Sequence, residues 1–197
     1  MDTIKHGLKN LKIMNKKNFL SDYIKEFCNG ISLAASQNKK ILSICDILSK
    51  TKSKNSIHIF GNGGSSSIAS HFSMDLTNNS NLRCMSYNDS AIITCYANDY
   101  KFENWASRVI TKYGNKNDVL ILISSSGTSK NMINALKTAR KKKFKSIISF
   151  TGFNNNNYLT KKSDINFWIK STRYNIIENT HQFYLLMIVD LIKKMKI

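Results

Sequence analysis

The sequence predicts an α/β fold, a three-layer αβα sandwich in which a five-stranded parallel sheet lies between helices. From residue 57 onward, short apolar segments alternate with stretches of helical periodicity, and this alternation is typical of parallel sheets covered on both faces. The segment from Val119 to Ile123 is wholly apolar, as expected for a strand buried on both sides. No linker-like segment divides the chain after these elements begin.

Two helices are predicted to precede the sheet. Residues 16 to about 50 place apolar side chains at helical spacing, and we expect the two helices to join near Asn29-Gly30. Their apolar stripe is wider than one small sheet can cover, which favours packing between subunits. We therefore predict a helical extension for oligomerisation over residues 1–50 and the α/β domain over residues 51–197.

Five short apolar runs predict the strands, at residues 57–60, 83–87, 119–123, 146–150 and 165–169. The intervening stretches are predicted helices, at residues 65–77, 91–97, 102–113 and 131–141, and a long helix closes the chain over residues 176–195. The polar, low-complexity stretch from Asn154 to Asn157 is predicted to be a surface loop.

The chain has 197 residues and a formal net charge of +18, a balance also found in proteins that bind nucleic acid. Its lysines are spread along the whole sequence, and the densest clusters, at 140–143 and 193–194, fall where helices should end. We therefore expect a solvated basic surface and no direct contact with nucleic acid.

No apolar run approaches the roughly 20 residues that span a bilayer, and the start lacks a secretory signal. These features predict a cytoplasmic protein with no membrane partner.

A glycine-rich loop follows the first predicted strand. Gly61-Asn62-Gly63-Gly64-Ser65 lets the backbone approach an anion closely, and the next helix offers unpaired N–H groups at its positive end. The spacing matches neither the dinucleotide-binding pattern nor a P-loop. Taken alone, the segment fits a phosphate site and a tight turn with a serine helix cap equally well.

A serine-rich loop follows the third predicted strand. The segment Ser124-Ser125-Ser126-Gly127-Thr128-Ser129 carries five hydroxyls in six positions, more than a plain turn needs. Neutral donors without a lysine suit a phosphate monoester that is held and then released. Because parallel sheets bind ligands at the carboxyl ends of their strands, we expect both loops to grip one sugar phosphate at that edge.

With these loops the chain resembles the sugar isomerase (SIS) family, and within it the phosphoheptose isomerases. The resemblance covers nearly the whole chain and also rests on His71-Phe72, Asp75-Leu76-Thr77, Asp89, Ala97-Asn98-Asp99-Tyr100 and Ile176-Ile177-Glu178. It implies a flavodoxin-like fold and an aldose–ketose isomerase that converts sedoheptulose 7-phosphate to D-glycero-D-manno-heptose 7-phosphate. It further implies heptose synthesis for a surface polysaccharide such as lipopolysaccharide, and a homotetramer whose active sites are shared between chains.

The resemblance also implies a role for individual residues. The implied substrate-binding residues are Asn62, Gly63, Ser65, Asp99, Ser124, Ser125, Ser126, Ser129 and Glu178. His71 and Asp75 occupy the positions of the catalytic His and Glu and, with Glu178, those of ligands to Zn²⁺. Their spacing places both on one helix face. Isomerisation requires a base, an acid and an electrophile for the enediolate oxygen, and a carboxylate, an imidazole and a zinc ion supply them.

Three positions depart from the family pattern. Asp75 stands where the family has Glu, Glu178 where the classical enzymes have Gln, and Leu186 where they have a second catalytic His. His181 and Gln182 lie one turn before Leu186 and are candidates to replace that His. The alternative function is a non-catalytic SIS protein that binds a sugar phosphate and a protein partner as a regulator or scaffold. In that case His71 is a buried core residue and Asp75 only a subunit contact.

Overall fold

The computed structural model describes the backbone of residues 2–195 and the side chains of residues 15–32 and 35–195. The helices are α1 (Asp2–Ala34), α2 (Asn38–Ser49), α3 (Gly64–Asn79), α4 (Ser90–Tyr100), α5 (Trp105–Tyr113), α6 (Lys130–Lys141), α7 (Tyr158–Lys162) and α8 (Tyr174–Met195). The strands are β1 (Ile57–Gly61), β2 (Cys84–Ser86), β3 (Val119–Ser124), β4 (Ser146–Thr151) and β5 (Ile165–Trp168). Short 3₁₀ turns occupy Ala35–Gln37 and Phe102–Asn104.

The five strands form one parallel sheet in the order β2-β1-β3-β4-β5. At its centre β1 pairs with β3, from Ile57 opposite Val119 to Gly61 opposite Ile123. The chain leaves β1 toward one edge of the sheet and leaves β3 toward the other. The predicted fold class and all five predicted strands are therefore confirmed.

A hydrophobic core covers each face of the sheet. On β3, Val119, Ile121 and Ile123 belong to the core beneath α2, α3 and α8, whereas Leu120 and Leu122 belong to the core beneath α5 and α6. This is the period of two expected for a strand, and because both faces are covered every residue of β3 is buried. In the described part of the chain, no helix is long and apolar enough to cross a membrane.

The prediction of a helix junction at Asn29-Gly30 is wrong. Helix α1 continues through both residues to Ala34, and the break lies at Ala35–Gln37. Gly30 is buried against α8, where a Cβ would lie 3.4 Å from Thr180 Oγ1. An added Cβ would make an ordinary van der Waals contact at this distance, so the glycine neither ends the helix nor is required by the packing of α1 on α8. Helix α2 contributes Ile41 to the same core as the sheet, and the division of the chain at residue 50 stays a prediction.

Helix α7 was not among the predicted elements. Residues 154–156 form an exposed turn as predicted, but Asn157 is buried and caps α7 by accepting a hydrogen bond from the Thr160 N–H at 2.9 Å. The sequence signal for this helix is weak. An asparagine precedes it, but α7 has only five residues and lacks the repeated apolar spacing of a longer helix.

A buried polar network lies at the amino edge of the sheet. His58 contacts the Tyr87 hydroxyl through Nδ1 (2.8 Å) and the Asp118 carboxylate through Nε2 (3.0 Å). The same carboxylate accepts hydrogen bonds from the Ser56 N–H (2.9 Å), the Asn115 N–H (2.7 Å) and the Asn55 amide (3.1 Å). Burial alone would raise the pKa of Asp118, but the hydrogen bonds, led by that from His58, lower it below its ordinary value. His58 is therefore structural.

Candidate functional site

The two predicted loops meet at the carboxyl edge of the sheet, between β1 and β3. These strands are neighbours, and the chain leaves them in opposite directions. In a sheet of this order such a point opens a crevice in which α/β proteins bind ligands. The loop after β1 leads into α3 and the loop after β3 leads into α6, so two helix N-termini adjoin the crevice. Their unpaired N–H groups favour an anion.

The first loop is anchored to the second by a pair of asparagines. The Asn62 amide donates to Asn131 Oδ1 at 3.1 Å, and the Asn131 amide donates to Asn62 Oδ1 at 2.7 Å. Asn131 lies in the first turn of α6 and is buried. Sequence reasoning missed it, because a lone asparagine at a helix start carries no motif. The reciprocal bonds fix the separation of the two loops.

The serine-rich loop is held by its own hydrogen bonds. The Gly127 N–H donates to the Ser124 carbonyl at 2.9 Å, and Ser126 Oγ accepts from the Thr128 N–H at 3.3 Å and from the Thr128 hydroxyl at 3.1 Å. Gly127 has a φ of 64°, a conformation that favours glycine. Ser125 Oγ is different: it is buried and finds no hydrogen-bond partner among the described residues. Such a hydroxyl is costly unless a ligand satisfies it.

A cavity of about 220 Å³ lies between the loops. It is lined by Asn62, Ser65, Ile123, Ser124, Ser125, Ser126, Ser129, Tyr174 and Glu178. Thus seven of the nine predicted substrate-binding residues line one space. Of the other two, Gly63 adjoins the cavity within the first loop, and Asp99 does not line it. Tyr174 was missed because no sequence pattern marks it. Its ring contacts that of Phe153, with 4.8 Å between centroids.

Glu178 is held at the start of α3. Its Oε1 accepts a hydrogen bond from the Ser65 hydroxyl at 3.1 Å, and its carboxylate lies so close to Gly64 that a Cβ there would collide with it. The absence of a side chain at Gly64 therefore lets the carboxylate reach the helix N-terminus. Negative charge is stabilised there by the helix dipole.

His71 and Asp75 pair with each other, as the spacing predicts. The distance between His71 Nε2 and Asp75 Oδ2 is 3.2 Å, and their side chains are 42% and 30% exposed. His71 is therefore not a buried core residue. The pair does not line the cavity of this chain, because it lies one and a half to three turns beyond Ser65 on α3.

The predicted zinc ligands do not converge within one chain. No group of three or more His, Cys, Asp or Glu side chains in the described part could hold a metal ion, so Glu178 does not join the His71–Asp75 pair. The residues of a single chain therefore do not fit a zinc ion. Asp99 also lies apart from the cavity, exposed on α4, where it accepts a hydrogen bond from the Asn98 amide at 3.1 Å.

His181 does not replace the missing family histidine at Leu186. His181 is completely buried, and its Nε2 donates to the Thr151 carbonyl at 3.1 Å. Burial lowers the pKa of His181 to about 4, so the ring is neutral at pH 7. Leu186 itself is half-buried on α8. The histidine one turn earlier is therefore a core residue.

The pKa of His181 predicts acid sensitivity. The unfolded chain gains the proton near pH 6.5 and the folded chain near pH 4, so stability present above pH 6.5 falls as the pH drops to 4. The expected loss is about 3 kcal/mol. The variant His181→Gln lacks this titration, and urea unfolding from pH 7 to 4 should show a correspondingly smaller loss. Equal losses in the two proteins would contradict the prediction.

Comparisons with known proteins are consistent with this geometry. A sequence profile of the SIS domain matches residues 22–152. The phosphoheptose isomerase of Buchnera aphidicola is 36% identical over 164 residues, covering 81% of this chain and 78% of that protein. The phosphoheptose isomerase of Cytophaga hutchinsonii is 38% identical over 119 residues, covering 58% of this chain and 62% of that protein. The solved structure of a phosphoheptose isomerase from Neisseria gonorrhoeae shares the fold, with a TM-score of 0.83 at 23% identity, covering 90% of this chain and 98% of that one.

Proposed function

The chain belongs to the SIS domain family, in its phosphoheptose isomerase branch, and we propose that it isomerises sedoheptulose 7-phosphate to D-glycero-D-manno-heptose 7-phosphate. The observation that carries the proposal is the cavity between the two loops, where serine hydroxyls and the Glu178 carboxylate line one space. Hydroxyl donors suit the phosphate, and a carboxylate suits proton transfer at the sugar carbons. A site that offers both is suited to an isomerase of sugar phosphates.

In this proposal the serine-rich loop holds the phosphate. The hydroxyls of Ser124, Ser126 and Ser129 line the cavity beside the N-terminus of α6, where the dipole favours an anion. The partnerless hydroxyl of Ser125 gains an acceptor when a phosphate binds. Asn62 and Ser65 lie across the cavity and are proposed to contact the sugar hydroxyls.

The proposal assigns His71 and Asp75 to a site shared between subunits. The pair is partly exposed and outside the cavity of its own chain, so we propose that it serves the pocket of a neighbouring chain in a homotetramer, as Asp99 also does. Helix α1 exposes Phe19, Leu20 and Ile24, an apolar surface that a second subunit would cover. A zinc ion would need ligands from more than one chain, and no step proposed here depends on it.

The wider biological setting is proposed from the family resemblance. The heptose product would enter synthesis of a surface polysaccharide such as lipopolysaccharide, and a cytoplasmic location stays a prediction. The two sequence relatives described above are phosphoheptose isomerases by name, so they give no support to the alternative of a non-catalytic regulator or scaffold.

The variant Ser125→Ala tests the phosphate site. A hydrogen bond to a charged group contributes about 1.5–3 kcal/mol, so the affinity for the sugar phosphate should fall about 10- to 100-fold. The free energy of unfolding without ligand should hardly change, because the hydroxyl has no partner to lose. The assay is turnover of sedoheptulose 7-phosphate, with and without added zinc, together with calorimetric binding.

Ser146→Ala is the matched control. Ser146 Oγ is also buried without a partner, but it lies at the amino end of β4, away from the cavity. Its removal should leave turnover and binding at wild-type levels. A wild-type protein that binds the sugar phosphate without turning it over would favour the non-catalytic alternative. Equal effects of the two alanine variants would contradict the location of the phosphate site.

A further inference from the structure

We infer that Glu178 is the general base of the isomerisation in this chain, the group that moves the proton between the two reacting carbons. The inference rests on the proposed function and deepens it, because the resemblance alone assigns Glu178 to substrate and metal binding. It follows from which groups line the cavity, from how the carboxylate is held, and from where the other candidate bases lie.

Glu178 is the one carboxylate among the residues that line the cavity. Apart from the Tyr174 phenol, the other lining side chains are amides, serine hydroxyls and an isoleucine. None of these takes a proton from carbon, because removing such a proton requires a basic group within reach of the C–H bond. The Glu178 carboxylate is such a group, and it lines the cavity. The carboxylate here therefore adds a chemical capacity to the cavity.

One hydrogen bond and one close contact hold the Glu178 carboxylate in place. Ser65 donates to Oε1, whereas Oε2 has no hydrogen bond from any described side chain or backbone group. The bond from Ser65 holds Oε1, and Oε2 is the oxygen that lies closest to Gly64, so the carboxylate is fixed at the start of α3. The fixed carboxylate still lines the cavity and has no donor on Oε2, and a positioned base requires a carboxylate held in this way.

Other ionisable groups are less well placed within the same chain. His181 is buried and neutral, with its Nε2 bonded to the Thr151 carbonyl. The partly exposed pair of His71 and Asp75 lies outside this cavity. In the pocket of a neighbouring chain, the role that we propose for this pair is to transfer the proton between the two sugar oxygens, where an imidazole acts as acid and base in turn.

The proton transfer balances without any redox partner. Glu178 takes a proton from C1 of the ketose, the electrons of that C–H bond form the C1–C2 double bond, and the carbonyl electrons move onto O2. The Ser and Asn donors at the cavity stabilise this enediolate oxygen. The proton on O1 is then transferred to O2 by the second acid–base group. Protonated Glu178 returns its proton to C2 as C1=O forms, so that C1 is oxidised and C2 is reduced.

The decisive variant is Glu178→Gln. It keeps the shape of the side chain and an oxygen that can accept the Ser65 bond, but it cannot take the proton. We expect kcat to fall about 10²- to 10⁴-fold, with binding of sedoheptulose 7-phosphate changed by less than threefold. Exchange of the C1 proton with D₂O, followed by NMR, should fall by the same factor. Glu103→Gln is the control, since Glu103 is partly exposed, pairs with Lys130 at 3.6 Å and does not line the cavity; the kcat of this variant should be unchanged.

The outcomes separate the inference from the proposed function. Turnover by the wild type together with near-normal turnover by Glu178→Gln would overturn the inference and leave the isomerase intact. Loss of turnover and of binding together would also overturn it, because Glu178 would then only bind. A wild type without turnover on this substrate would overturn both.

A second measurement covers the case in which Glu178→Gln fails to fold, as judged by circular dichroism. Glu178→Ala leaves room in the cavity for a small carboxylate, so added formate should restore turnover in proportion to its concentration. Acetamide, which has a similar shape and is not a base, is the matched additive. Restoration by both compounds or by neither would overturn the assignment of Glu178 as the base.

Discussion

Replacing Asp118 with alanine is expected to lower the free energy of unfolding by about 3–5 kcal/mol, because each buried hydrogen-bonding group left unsatisfied costs about 1–3 kcal/mol. Asp118 is completely buried and accepts hydrogen bonds from four groups, including His58 at 3.0 Å. Without the carboxylate these donors stay buried and lose their acceptor, and each unsatisfied group carries a desolvation penalty. Urea unfolding at pH 7 measures the loss.

Asp46→Ala provides the comparison for Asp118. Asp46 pairs with Lys50 at 3.0 Å, but both side chains are more than half exposed, so its removal should cost less than about 1 kcal/mol. Folding lowers the pKa of Asp118. The stabilisation from this carboxylate is therefore present above its pKa in the unfolded chain, about 3.9, and is lost as the pH falls through its pKa in the folded chain. The difference between wild type and Asp118→Ala should therefore shrink in strong acid. A loss similar to that of Asp46→Ala would show that the network is not structural.

The sheet was predictable because its strands are buried on both faces. The apolar run from Val119 to Ile123 becomes β3, in which every residue is buried, so the local pattern and the tertiary environment agree. The continuation of α1 through Gly30 was not predictable, since a glycine weakens the helix signal whether or not the helix ends there. The contact of this residue with α8 depends on tertiary structure, which no local pattern shows.

The candidate site was predictable to the extent that it depends on loops after strands. Parallel topology brings Ser65 and the serine-rich loop together without further information. Asn131 and Tyr174 reach the site through tertiary contacts that leave no local pattern. The spacing of His71 and Asp75 correctly predicts that they pair. Helical spacing does not show, however, which part of the molecule contacts the helix face that they share.

Gly127→Ala is expected to lower kcat/KM about a hundredfold or more, because a displacement of about 1 Å in a positioning loop has an effect of this size. At the φ of 64° an alanine costs about 1–2 kcal/mol, and its Cβ would collide with the Asn157 side chain. Asn157 cannot yield freely, since its amide donates to the Asn154 carbonyl at 2.8 Å and its Oδ1 caps α7. The serine-rich loop must therefore move.

A double variant separates the collision from the backbone strain. Asn157→Ala alone should cost about 1 kcal/mol through loss of the helix cap. If the collision is real, Gly127→Ala combined with Asn157→Ala should be more stable than the sum of the single losses predicts, by about 0.5–3 kcal/mol. In the double variant, part of the affinity for sedoheptulose 7-phosphate should also return, because the loop regains its position. The recovery should be incomplete, because the backbone strain at residue 127 persists. Strictly additive losses would mean that Gly127 matters only for its backbone conformation, and the contact between the serine-rich loop and α7 would then have no part in holding the phosphate.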